Sequence, residues 1–414
     1  MARTYVQASL AFASCLLFGC SDASDSTGRT AGIGDGFTPG AGSGTGTSMG
    51  TSTGAPGVPV LTPGTGAGAA DPASGDSSSA GGASSTGGAS SASGASSSTP
   101  PTDSIPPIPD PSGNSTGSPG VLTAGAWDDN RNFDFFRNYR KTRVDTQTPG
   151  LLTIPESAHV AAHAAFSLPP SAKSTLDISL VIDTTGSMGD EIRYLQSEFI
   201  TLSDTIGQRY PNAEQHWSLV LYKDVSDSYI VKWFDFRQDP VEFQSKLDLA
   251  TADGGGDFPE APDQALAKAA LLDWRSDEST ARLAFWVADA PHHAEQASAM
   301  SDAVLALQER AVHVYPIASS GVDDFTELTM RSVAQLTGGR YLFLTNDSGV
   351  GGDHKEPTLP CYFVTKLDRA ILRMVEIELS GTYHEPNADE VLRTGGSPLD
   401  GACTLESGEV VAAY

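Results

Sequence analysis

The chain has 414 residues and a formal net charge of −26. That balance excludes a nucleic-acid-binding protein, which needs a basic face for phosphates. It suits a soluble, extracytoplasmic surface with carboxylates to spare for cations, although solubility alone accounts for it as well. The length would suggest two or three domains. From about Ser21 to Pro119, however, the chain is mostly Gly, Ser, Thr, Ala and Pro. Such a stretch buries too little apolar surface to offset its ordering entropy. What remains, from about Val121, suffices for one large domain with extensions.

Arg3 gives a short basic start, and Val6–Phe18 is an apolar run too short for an ordinary membrane span. It ends in Leu17-Phe18-Gly19-Cys20. This resembles a bacterial lipobox, with Leu three before the cysteine and Gly just before it. The resemblance implies that residues 1–19 are a lipoprotein signal peptide and that Cys20 is diacylated and becomes the new N-terminus. The alternative is an ordinary signal peptide with an incidental cysteine. By analogy with Gram-negative sorting, Ser21 implies delivery to the outer membrane, so the expected location is lipid-anchored, at the outer membrane or cell surface. Residues 20–120 then form a low-complexity tether with a typical span of about 50–60 Å.

Residues 121–175 read as an N-terminal extension. Trp127, Phe133, Phe135, Phe136 and Tyr139 are expected to pack on the domain edge, and Pro149–Pro170 to hold short strands. Leu176–Ile182 is a short β-rich run ending at Asp183. A helix is expected over Asp190–Arg209, with Ile192, Leu195, Phe199, Leu202 and Ile206 on one face. Strands near Trp217–Tyr222 and Tyr229–Phe236 follow, then a helix near Pro240–Leu249 and a glycine-rich loop at Asp253–Asp257. A helix over Glu260–Trp274 leads to a buried strand, Leu283–Ala288, ending at Asp289. Helices near Glu295–Arg310 and Phe325–Leu336 alternate with strands at Val312–Ile317 and Tyr341–Leu344. Gly338-Gly339 and Gly349–Gly352 read as turns, and His354 has no visible partner. The last expected helix spans Phe363–Leu379. Alternating strands and helices predict an α/β fold, a doubly wound and mainly parallel sheet covered on both faces. Ligands then belong at the carboxyl ends of the strands near the switch point.

Four cysteines are present. Cys15 leaves with the signal and Cys20 would be acylated. Cys361 and Cys403 remain, and in an oxidising compartment they are expected to pair and pin the C-terminal tail. Two buried free thiols are the alternative.

Asp183, Thr185 and Ser187 stand at alternate positions of the loop that leaves the first strong strand. One carboxylate and two hydroxyls give hard oxygen ligands, which suit Mg²⁺, Ca²⁺ or Mn²⁺ rather than zinc. Gly186 relieves the backbone between the hydroxyl residues. Asp183-Thr184-Thr185-Gly186-Ser187 resembles the metal-ion-dependent adhesion site of the von Willebrand factor type A domain, whose pattern is Asp-x-Ser/Thr-x-Ser. The resemblance runs over residues 176–381, leaving 382–414 as a C-terminal tail, and implies a Rossmann-like fold.

The resemblance also implies that Asp289 reaches the metal. Asp289-Ala290-Pro291-His292 is similar to the corresponding stretch of integrin β subunits. Gly254-Gly255-Gly256-Asp257-Phe258-Pro259-Glu260 resembles the integrin-β loop that supplies a glutamate to the central metal, which makes Glu260 that ligand. Many family members use a threonine there, and this chain offers none. Flanking cation sites follow by the same analogy: Asp190 and Glu191 on one side, and Asp224, Asp257, the Pro259 carbonyl and Glu260 on the other. Asp190 and Glu191 also suit a helix start, where acids are favoured by the dipole.

No Gly-x-Ser-x-Gly elbow, His-Glu-x-x-His or Walker loop occurs. His292 beside Asp289 reads as a supporting residue rather than a catalytic base. The expected function is binding, not catalysis: a membrane-anchored module whose cation is completed by an Asp or Glu carboxylate of a partner protein. A structural or assembly component of the envelope is the alternative, and a hydrolase built on Asp289 and the histidines ranks below both.

Overall fold

The computed structural model describes residues 118–169 and 172–414. The signal segment, Cys20 and nearly all of the tether lie outside the described residues. Among those described, no helix is long and apolar enough to cross a membrane.

The elements run β1 (Thr123–Trp127), α1 (Phe133–Asp145), α2 (Glu156–Ala165), β2 (Thr175–Asp183), α3 (Gly189–Arg209), β3 (Glu214–Tyr222), β4 (Val231–Arg237), α4 (Pro240–Leu247) and α5 (Pro262–Ala270). They continue with β5 (Thr280–Ala288), α6 (Ala297–Glu309), β6 (His313–Ala318), α7 (Asp324–Thr337), β7 (Tyr341–Leu344), β8 (Tyr362–Lys366), α8 (Leu367–Ser380), β9 (Arg393–Gly395), β10 (Ala402–Thr404) and β11 (Val410–Ala412). Nine strands form one sheet in the order β4-β3-β2-β5-β6-β7-β1-β8-β9. β3, β2, β5, β6 and β7 are mutually parallel, and β4, β1 and β9 pair antiparallel with their neighbours.

The alternation of β2 sorts its side chains between two cores. Leu176, Ile178, Leu180 and Ile182 pack with Ile192, Leu195 and Phe199 of α3 and Ile371 and Met374 of α8. Val181 faces the other layer, with Ala265 and Leu266 of α5, Val304 of α6 and Val333 of α7. Both faces of the sheet are therefore covered, which explains why β2 and β5 read as nearly continuous apolar runs. From β2 the chain moves one way to β3 and β4, then crosses to β5, β6 and β7 on the other side. That reversal puts a crevice at the carboxyl ends of β2 and β5.

Four expectations need correction. Trp127 was expected on the domain edge, but it ends β1, which lies inside the sheet between β7 and β8, with Ala124 opposite both Leu344 and Thr365. Its following acids lock it there, since Asp128 and Asp129 form fully buried ion pairs with Arg340 and Arg331 at 3.1 and 2.7 Å. Pro149–Pro170 holds a helix, α2, rather than strands; its alanine-rich Glu156–Ala165 favours that state. The expected helix from Phe363 begins only at Leu367, because Phe363, Val364 and Thr365 pair with β1 and β9. The helix expected over Glu260–Trp274 is shorter, starting at Pro262, whose fixed φ suits a first turn. The expected disulfide is present: Cys361 and Cys403 are bonded, with Cα atoms 6.2 Å apart. It ties the β10–β11 hairpin to the start of β8.

Candidate metal centre

β2 ends at Asp183, and the chain turns at once into a single 3₁₀ turn and then α3. This geometry holds Asp183, Thr184 and Thr185 buried and leaves Ser187 exposed at the crevice. Asp183 Oδ1 accepts from the Thr185 amide at 2.9 Å and from the Thr185 hydroxyl at 2.7 Å. By donating its proton inward, Thr185 keeps the lone pairs of Oγ1 free for a cation. Asp183 Oδ2 is buried and has no hydrogen-bond partner among the described residues.

The other two predicted ligands come from loops stitched to each other. Asp289 follows β5 directly, and the Glu260 amide donates to the Pro291 carbonyl at 2.8 Å. Both side chains are nearly fully buried, and Glu260 Oε2 and Asp289 Oδ1 have no hydrogen-bond partner among the described residues. Ser187 faces Asp289, and its hydroxyl opposes the rise in that carboxyl's pKa. Burial, and then the charge of Asp289, pushes Asp183 up to about 7. Burial, and then Asp183, Asp224, Asp227 and Asp289, pushes Glu260 up to about 9. Burial also raises Asp289. Carboxylates shifted this way are short of positive charge.

The glycine-rich loop forms the other wall. Gly254 and Gly255 sit at φ of +75° and +74°, which only glycine adopts readily. A Cβ on Gly254 would lie 2.3 Å from Asp227 Oδ1. Asp227 anchors the loop through the Gly255 amide at 3.0 Å. The Gly254 carbonyl accepts from the Gly186 amide at 3.3 Å. Gly186, Gly254 and Gly255 line an open groove of about 750 Å³ together with Thr185, Ser187, Phe258, Glu260, Asp289 and Asp353.

The donors fit a small hard cation, since three buried carboxylate oxygens lack partners and two hydroxyls stand beside them. Among the described residues no three His, Cys, Asp or Glu side chains gather closely enough to hold a metal by themselves. Asp183, Glu260 and Asp289 therefore do not form a ready-made carboxylate cluster.

The residues expected at flanking sites have the following neighbours. Asp190 is half-exposed and paired with Arg193. Glu191 instead points inward, accepting from the Ser320 hydroxyl at 2.5 Å, with His354 Nε2 at 3.8 Å from its Oε1. His354 thus has neighbours the sequence did not reveal, and its Nδ1 is 3.1 Å from Asn346 Oδ1. On the other side, Asp257 is exposed and Pro259 half-buried. Asp224 Oδ1 lies 2.6 Å from His293 Nε2. His292 is structural: its Nε2 meets the Gly150 carbonyl at 2.9 Å, its ring packs against Phe325, and burial pushes its pKa down to about 4.

Sequence reasoning missed the support beneath the site. The Tyr222 hydroxyl accepts from Trp286 Nε1 at 3.0 Å and acts on Asp183 from the neighbouring strand. The adjacent Lys223 is completely buried and reaches the backbone of both walls. The Tyr222-Lys223-Asp224 run at a strand end was the available signal.

Residues 177–349 match the family model of the von Willebrand factor A domain. The chain is 28% identical over 193 residues to a putative ariadne-like RING finger protein of Acanthamoeba polyphaga mimivirus, covering 42% of this chain and 18% of that protein. It is 26% identical over 132 residues to the alpha-protein kinase vwkA of Dictyostelium discoideum, covering 32% of this chain and 21% of the kinase. The chain thus spans only a small part of the length of these relatives. Among solved structures, the conserved hypothetical protein BatB from Bacteroides thetaiotaomicron is 12% identical, at a TM-score of 0.32, with 49% of this chain and 98% of that chain covered. The matched stretch holds β2 through β7 and the candidate centre, while β1, β8 and β9 extend the sheet beyond it.

Proposed function

We propose, from the von Willebrand factor A domain match and the oxygen-rich crevice at the ends of β2 and β5, that the protein is a divalent-cation-dependent binding module. Asp183, Thr185, Ser187, Glu260 and Asp289 would hold Mg²⁺, Ca²⁺ or Mn²⁺. When bound, the cation supplies a concentrated positive charge for an Asp or Glu carboxylate of a partner protein. The observation that carries this reading is the trio of buried, unpartnered oxygens: Asp183 Oδ2, Glu260 Oε2 and Asp289 Oδ1. Burying carboxylates without a counter-charge is costly, and a cation offsets it. A binding role also agrees with the rest of the crevice, where His292 and His293 are engaged by Gly150 and Asp224.

The anchoring reading rests on Leu17-Phe18-Gly19-Cys20 and the composition of residues 20–120. In it, acylated Cys20 holds the domain at the outer membrane or cell surface, and the tether carries it clear of the lipid. Mass spectrometry of the N-terminal peptide would detect the acyl chains, and their absence would remove this part.

The cation reading is tested by titrating Mn²⁺ and Mg²⁺ into EDTA-stripped protein by calorimetry, with Asp183→Ala beside the wild type. Saturable binding lost in the variant is expected. Equal binding by the two proteins would sink the assignment. Partner capture that persists in EDTA, or with Asp183→Ala, would leave the cation a structural role in an envelope component.

A further inference from the structure

We infer that Lys223 is a positioning residue for the cation centre: its buried ammonium clamps the loop carrying Asp183, Thr185 and Ser187 to the glycine-rich loop that leads to Glu260. The inference rests on the proposed cation site and deepens it by naming what sets the site's affinity.

Lys223 follows the last residue of β3, and its side chain is completely buried. Its Nζ donates to the Thr184 carbonyl at 2.5 Å and to the Asp253 carbonyl, and it pairs with the Asp253 carboxylate at 3.0 Å. Thr184 lies between two of the proposed ligands, and Asp253 opens the glycine-rich loop. One ammonium therefore joins both halves of the ligand set from below. The Tyr229 ring covers it at 5.4 Å, and the Tyr229 hydroxyl is 2.6 Å from Thr184 Oγ1.

Stability alone is a poor reason for such a group. Burying an ammonium is costly, and a well-packed apolar replacement is often as stable. The ion pair with Asp253 adds little, because that side chain is 62% exposed. The carbonyls are the anchors that matter, and they belong to the two walls of the groove.

Among the described residues two backbone hydrogen bonds otherwise join these walls, Asp253 amide to Thr184 carbonyl at 3.2 Å and Gly186 amide to Gly254 carbonyl at 3.3 Å, both long. The second wall runs through Gly254 and Gly255 at positive φ and has one further side-chain anchor, Asp227 on the Gly255 amide. Without the clamp, those two long bonds and the Asp227 contact to the Gly255 amide would be left to hold the walls together. Lys223 holds the geometry ready, so the cation need not spend binding energy on gathering its ligands.

The test uses full-length protein stripped with EDTA, with Mn²⁺ and Tb³⁺ as probes. Lys223→Met should bind Mn²⁺ about 10–100-fold more weakly than the wild type, as for other residues that orient ligands. Tb³⁺ luminescence lifetimes in H₂O and D₂O should show more bound water in the variant, a change that a purely structural residue would not cause. Equal affinity with equal hydration overturns the inference. Should the variant fail to fold, amide hydrogen exchange of wild-type residues 250–260 decides. Protection already present without cation supports the clamp, and protection that appears only with Mn²⁺ overturns it. Wild type that binds no Mn²⁺ overturns the underlying site reading, and the clamp with it, before any variant is compared.

Discussion

Trp286 and Tyr222 are joined side chain to side chain: the indole Nε1–H donates to the phenol oxygen at 3.0 Å, both residues being fully buried. Tyr222 is also the register partner of Asp183 across the β2–β3 ladder. Three adjacent strands, β5, β2 and β3, thus contribute to the setting of one carboxylate. Removing the hydroxyl with Tyr222→Phe leaves the indole N–H buried and unpartnered, which costs about 1–3 kcal/mol. Urea denaturation should show that loss, and Mn²⁺ titration should show weaker binding. A variant as stable and as tight as the wild type would separate Tyr222 from the site.

Asp183 should destabilise the protein when no cation is present. Its carboxyl is buried and pushed up to about 7 by burial and by Asp289, and Oδ2 has no partner. Asp183→Asn keeps an acceptor for Thr185 while removing the charge. In EDTA the variant should therefore melt higher than the wild type, by the equivalent of about 1–3 kcal/mol. Adding Mg²⁺ should raise the wild-type melting temperature and leave the variant unmoved. A variant that melts lower in EDTA would show that the isolated charge is not a burden.

The central parallel strands were readable because their burial on both faces leaves long apolar runs, as at Leu176–Ile182 and Leu283–Ala288. β1 was not, because its partners Leu344 and Thr365 lie more than two hundred residues away and no local pattern points to them. Phe363, Leu367 and Ile371 fit helical spacing, which hid the short strand before α8. That Asp183 and Thr185 lie together was legible because one short loop carries them. The different directions of Asp190 and Glu191, one to Arg193 and the other to Ser320, were not legible because adjacent residues at a helix start face apart. Lys223 and Tyr222 act through strand register and loop contacts, which appear only in three dimensions.

The disulfide should matter to the tail more than to the centre. Cys361 and Cys403 are 42 positions apart, and closing such a loop is worth about 4 kcal/mol in the chain-entropy account. Cys361→Ser with Cys403→Ser, or reduction, should lower the melting temperature and expose β10–β11 to protease. Mn²⁺ affinity should stay unchanged, since the bond ties the start of β8 to a hairpin on the far side of the sheet from β2. Loss of cation binding on reduction would contradict that separation.

Glu198 on α3 gives a pH dependence whose direction follows from its surroundings. It is 3% exposed, accepts from the Gly120 amide at 2.6 Å through Oε1, and has no partner for Oε2. Burial, aided by Asp368, pushes it from 4.5 to about 7, against the pull of Gly120 and Lys366. A carboxyl whose folded pKa is raised binds its proton more tightly when folded, so its contribution is fully present below the unfolded value and is lost as pH rises through the folded one. Glu198→Gln keeps the acceptor for Gly120 and never ionises. Above pH 7 the variant should therefore be the more stable protein, by on the order of 2–3 kcal/mol. The difference should shrink as pH falls below about 7 and vanish below about 4.5. Urea denaturation of both proteins between pH 4 and pH 8.5 reads this directly. A constant difference across that range would mean that Glu198 does not titrate within it.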